Sequence, residues 1–145
     1  MSFRRNNQHT ISLPIVGNKV IQLLNESMIA LLFEDSVGEV ASLRIEEIVT
    51  IQSSSGETKR IEGTLPGKSF NSEEANILDF FVGKTVKSAT AKKGDLEIIF
   101  YDESKILIEP TDYGEWHFQK PAPHSKKRYS RKSTFSLSGS NQGFI

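Results

Sequence analysis

Apolar and polar residues alternate with a period of two along most of the chain between Ile11 and Gln119, which predicts half-buried strands. In "IALLFED" the residues Ile29, Leu31 and Phe33 fall on one side, and in "GDLEIIFYD" Leu96, Ile98 and Phe100 do the same. Each run ends in an acidic turn, at Asp35 and at Asp102, and each is followed by a further alternating run, "LRIEE" or "ILIEP". Each is also preceded by a Gly-x-x-Val segment, Gly17 to Val20 and Gly83 to Val86.

The same order of features therefore occurs twice. With one inserted residue, Ile29, Leu31, Phe33 and Asp35 match Leu96, Ile98, Phe100 and Asp102; Leu43, Ile45 and Glu46 match Ile106, Ile108 and Glu109. The repeat covers 13–47 and 83–109. Its linkers, "NES", "DSVGEV", "KKGD" and "DES", are short and polar, the size of hairpin turns. Two related three-stranded antiparallel meanders are the economical reading.

Between them, "IVTIQSSSGETKRIEG" predicts a further hairpin turning around Ser54 to Glu57. "FNSEEANILDFFVG" predicts one helix, with Asn71 or Ser72 as N-cap, Glu73 and Glu74 in the positive first turn, and Gly83 just past the end. Ile77, Leu78 and Phe81 share the face that should lie on a sheet. "YGEWHFQ" alternates Tyr113, Glu115 and His117 against Trp116 and Phe118 and predicts a short strand closing the sheet, with Trp116 in the core. The fold class is α+β, mostly antiparallel β, with one helix between two meanders. From Lys120 onward Pro, Ser, Lys and Arg dominate, so 120–145 is expected to be a disordered basic tail, like 1–10, around a single domain over 11–119.

Composition changes this picture in two ways. A chain of 145 residues without cysteine must hold its fold by an ordinary core, and has neither disulfides nor thiolate metal ligands. Its net charge of zero conceals an asymmetry. Residues 6–119 hold 10 Lys and Arg against 18 Asp and Glu, a net −8, while Arg4, Arg5, Lys120, Lys126, Lys127, Arg128, Arg131 and Lys132 make the ends basic. An acidic body suits a basic partner, and a basic tail suits nucleic acid or an acidic surface. With no signal-peptide run and no stretch near the roughly 18 apolar residues of a spanning helix, a cytoplasmic location without membrane contact is expected.

The carboxylates around "FYDESKILIEP" raise the question of a metal or an acid pair. A repeated turn acid explains Asp35 and Asp102 without chemistry, and no Asp-x-Asp-x-Asp-Gly loop is present. His9, His117 and His124 are too far apart in sequence to form an i, i+4 ligand pair, and neither Gly-x-Ser-x-Gly nor a phosphate-binding glycine pattern occurs. No catalytic, cofactor or metal residue is assigned, and a non-enzymatic protein is expected.

The succession "LPIVGNKV", "IALLFED", "LRIEE", "GDLEIIFYDESKILIEP" and "YGEWHF" resembles a family of small bacterial proteins of unknown function, over residues 13 to 119. Glu115 and Trp116 are adjacent where that pattern usually ends Glu-Ala-Trp. Such proteins are similar to the immunity proteins of bacterial polymorphic toxin systems, and the resemblance implies a module that neutralises a toxin domain. The charge then points to Glu34, Asp35, Glu39, Glu46, Glu47, Asp102, Glu103, Asp112 and Glu115 as contacts for a basic toxin domain. The alternative is a nucleic-acid-binding accessory protein using Lys126, Lys127, Arg128, Tyr129, Arg131 and Lys132. Monomer and homodimer both fit, since a small meander protein has strand edges to pair.

Overall fold

Period-two alternation becomes twelve strands in two six-stranded antiparallel sheets, with one short helix among the described residues. The computed structural model describes residues 10–25, 29–65, 72–112, 114–121 and 133–144. The strands are β1 (Thr10–Ser12), β2 (Lys19–Asn25), β3 (Ile29–Glu34), β4 (Val40–Glu46), β5 (Val49–Gln52), β6 (Thr58–Ile61), β7 (Val86–Lys92), β8 (Asp95–Phe100), β9 (Lys105–Ile108), β10 (Glu115–Pro121), β11 (Ser133–Ser140) and β12 (Gly143–Phe144). The helix, α1, is Ser72–Asp79. One sheet, A, runs β1-β7-β8-β9-β5-β6; the other, B, runs β12-β11-β10-β4-β3-β2.

Each sheet combines three consecutive strands with a hairpin from elsewhere in the chain. β2, β3 and β4 are neighbours in sheet B, yet the chain after β4 crosses to sheet A, where β5 pairs with β9. β7, β8 and β9 are neighbours in sheet A, and the chain after β9 crosses to sheet B, where β10 pairs with β4. Register shifts fall between Val20 and Gln22 in β2, and between Val86 and Ser88 in β7. The inner faces share one core that includes Phe33, Phe100, Trp116 and Phe118, all buried.

The β5–β6 hairpin forms around Ser53–Glu57, as its alternation predicts. α1 buries Leu78, and Phe81 follows it into the core, where its ring lies 5.1 Å from that of Phe100. Ile77 is half-buried, and Glu74 in the first turn accepts a hydrogen bond from the Glu62 amide at 3.2 Å, tying the helix to the chain just after β6. The expected N-cap falls outside the part of the helix whose side chains are described.

Two expectations are corrected. The "YGEWHFQ" strand does not close a sheet: β10 lies between β4 and β11, and Trp116 is fully buried because both flanks are covered. The stretch 120–145 is not a tail throughout. Lys120 and Pro121 belong to β10, and 133–144 supply β11 and β12, with Phe135, Leu137 and Phe144 packed against the core. "STFSLSGS" is an alternating strand whose apolar side holds two large residues and Gly139. That glycine lies against the indole: a Cβ there would come within 2.5 Å of the Trp116 ring. The indole N–H donates to the Gly94 carbonyl at 2.7 Å, so the tryptophan's polar end is satisfied inside the core.

Candidate functional site

The outer face of sheet B is built from the polar half of three alternating strands. β4 contributes Ser42, Arg44 and Glu46; β10 contributes Glu115, His117 and Gln119; β11 contributes Ser136, Ser138 and Ser140. The register sets Glu46 opposite Glu115 and Arg44 opposite His117. At one end of this face an open groove of about 360 Å³ is lined by Glu46, Asp112, Gly114, Glu115, Ser140 and the turn at Asn141 and Gln142. Among the described residues no basic side chain lines it.

Within the groove the acids are held in different ways. Asn141 donates its side-chain amide to Asp112 Oδ1. Glu115 Oε1 lies 2.9 Å from His117 Nε2, and His117 Nδ1 lies 2.7 Å from Ser138 Oγ, so carboxylate, imidazole and hydroxyl form a chain across β10 and β11. That chain orients Glu115 and fixes the imidazole; with Nε2–H donated to the carboxylate, Nδ1 accepts from the serine. Sequence reasoning missed it, since only strand pairing reveals that residues 117 and 138 face each other. Nearby, Gly94 precedes Asp95, whose carboxyl is pushed up by partial desolvation and by the charge of Glu109.

The remaining predicted contacts lie elsewhere. Glu34, Asp35 and Glu39 sit together at the β3–β4 turn and are half-buried. Asp35 is committed to that turn: Oδ1 accepts the Glu39 amide at 2.9 Å and the Val37 amide at 3.0 Å, and the bond from Glu39 is the main cause of its lowered pKa. Asp102 plays the corresponding part at the β8–β9 turn. Its burial acts to raise the pKa, but hydrogen bonds from Lys84 and Ser104 outweigh it and lower the carboxyl to about 2. Glu103, exposed, pairs with Lys87 at 2.8 Å. Asp35, Asp102 and Glu103 are capped or neutralised by their own chain, and turn geometry accounts for Asp35 and Asp102.

Glu47 is corrected outright. It was expected at the surface but is fully buried. Its carboxylate accepts the Ile48 amide at 2.8 Å, the Thr111 amide at 2.6 Å and the Thr111 hydroxyl at 3.1 Å, and so pins the β9–β10 connection to the β4–β5 crossing. Of the nine predicted acids the fold brings Glu46, Asp112 and Glu115 into one groove, leaves two groups at separate turns, and removes Glu47 from contact. Lys126 to Lys132, the nucleic-acid alternative, and Tyr113 lie outside the described residues. Among the described residues no group of His, Asp and Glu is arranged to hold a metal ion, and no helix is long and apolar enough to cross a membrane.

No curated protein and no solved structure matches the chain. A family model matches residues 11–124, from within β1 to just beyond β10 and short of β11. The chain belongs to that family, DUF6188, a family of unknown function.

Proposed function

We propose that this protein is a non-enzymatic binding module of the immunity type, which takes up a basic segment of a toxin domain in the acidic groove of sheet B. The two three-stranded runs, on this reading, are copies of one duplicated meander, and their matching register shifts support it. The observation that carries the function is the convergence of Glu46, Asp112 and Glu115 on one open groove, with no basic side chain among the described residues of its lining. Glu115 and Glu46, directly opposed, repel each other, and a cationic side chain placed between them relieves that repulsion on binding.

Such complementarity acts first on the rate of capture and falls with salt. The test is purification of the tagged protein from its native cells, followed by identification of what binds and measurement of that binding with a Glu46→Lys, Glu115→Lys variant. A basic protein domain whose association slows about tenfold or more in the variant, and in raised salt, supports the proposal. Recovery of nucleic acid alone, or a protein partner indifferent to the variant, overturns it.

A further inference from the structure

The hairpins β5–β6 and β10–β11 are placed alike, each added to a three-stranded run through its first strand, but they end differently. The outer edge of β11 is covered by β12, with Gly139 opposite Phe144 and Ser140 opposite Gly143. Phe144 meets the Trp116 ring edge-on at 6.5 Å, so the added strand brings an aromatic anchor to the core. β6 has the same position in sheet A, and among the described residues nothing pairs with its outer edge.

Against the β5–β6 hairpin the structure leaves an opening of about 260 Å³, with Ile51, Ile77, Phe80 and Phe81 as its apolar lining and Glu57 and Lys59 among the polar residues on its border. Phe80 is 54% exposed on its wall. The bond from the Glu62 amide to Glu74 ties α1, which precedes Phe80 and Phe81, to the chain just after β6. Charge on β6 is the reverse of the body's: Lys59 and Arg60 are exposed, and neither has an ion-pair partner among the described residues.

We propose that β6 and this opening receive an extended segment of another protein, in which an apolar side chain enters the opening and acidic residues flank it. Strand addition supplies main-chain hydrogen bonds, and alternation directs every second side chain to one face. The apolar residue then points inward beside Ile77 and Phe80. Its neighbours point outward beside Arg60, where acids are favoured. The site lies on the other sheet from the acidic groove and prefers the opposite charge, so it does not depend on the groove's function.

Selection of a phage-displayed library of random peptides about twelve residues long on the full chain tests this. Enriched peptides should carry an aromatic or branched apolar residue between acids, and a synthetic copy of the strongest should shift the amide resonances of Thr58 to Ile61. Lys59→Glu with Arg60→Glu, and separately Phe80→Ala, alter exposed residues and should each weaken that peptide about tenfold or more. Glu46→Lys with Glu115→Lys should leave it unchanged. The proposal fails if no peptide or only basic peptides are enriched, or if both β6-side variants bind as well as the parent. It fails equally if the outward-facing amides of β6, those not bonded to β5, are already protected from exchange in the free protein, by its own chain or by a second copy.

Discussion

Lys19 and Thr85 form an antiparallel bridge, and the hydrogen bonds on either side of it come in corresponding pairs. The Gly17 amide donates to the Val86 carbonyl at 2.8 Å, and the Gly83 amide donates to the Val20 carbonyl at 2.7 Å. Inside these, the Val86 amide reaches Asn18 and the Val20 amide reaches Lys84, both at 2.9 Å. The two sheets are joined here by backbone alone, which explains why both segments read Gly-x-x-Val. Gly17 has φ 86° and Gly83 has φ 96°, a region that costs an L side chain strain.

Neither glycine has an atom within 4 Å of where a Cβ would stand, so alanine there meets conformational strain and no collision. Gly17→Ala and Gly83→Ala should each lower stability by about 1 kcal/mol in urea unfolding, by closely similar amounts. A several-fold difference between them would show that the two turns do not bear equal parts.

Glu47 offers a sharper contrast with its neighbour. Removing its carboxylate by Glu47→Ala strands the amides of Ile48 and Thr111 in a buried place and opens a cavity, a loss of about 2–4 kcal/mol. Glu46→Ala, on the groove, should cost no more than about 0.5 kcal/mol. Thermal melts of the two variants measure the difference, and equal melting temperatures would refute the structural role given to Glu47.

Strand parity carried more information about these acids than charge did. Leu43, Ile45 and Glu47 alternate on one side, and the buried positions continue through Val49, so the period that buries the first two also turns Glu47 inward. Turn chemistry likewise foretold Asp35 and Asp102. What local pattern could not supply was pairing between distant strands. Nothing near Glu46 reveals that Glu115 lies opposite, and nothing in "VTIQ" shows that it leaves the sheet of β4 to pair with β9. β11 escaped because its apolar residues are spaced by serines and follow a basic run, so composition averaged over 120–145 obscured a strand of eight residues.

Acid should weaken the fold partly through Asp102. Its carboxyl titrates near 2 in the folded chain against 3.8 ordinarily, so its stabilising part is complete above 3.8 and is lost as pH falls toward 2. The side chain is 40% exposed, and solvent screening holds that part to about 1 kcal/mol. Asp102→Asn should therefore destabilise at pH 6 and match the parent near pH 2, as read by urea unfolding at both values. Asp95, raised above its ordinary value, has the opposite sign: its stabilising part is present below 3.8 and lost as pH rises, so Asp95→Asn should not destabilise at pH 6.

The decisive test of the strand at the C-terminus is to end the chain at residue 132. Removing 133–145 uncovers the outer edge of β10 and strips Phe135, Leu137 and Phe144 from the core. Three partly buried apolar side chains at about 1 kcal/mol each, with the lost strand pairing, amount to roughly 3–5 kcal/mol, much of the stability of an ordinary domain. Trp116 reports the event directly, being the only tryptophan and packed against Gly139 and Phe144. Its emission should shift to the red and unfolding should lose cooperativity, while an open β10 edge promotes self-association visible in gel filtration. A shortened chain with the parent's melting curve and emission would mean that β11 adds nothing to the fold. That outcome would restore the reading of this segment as a tail.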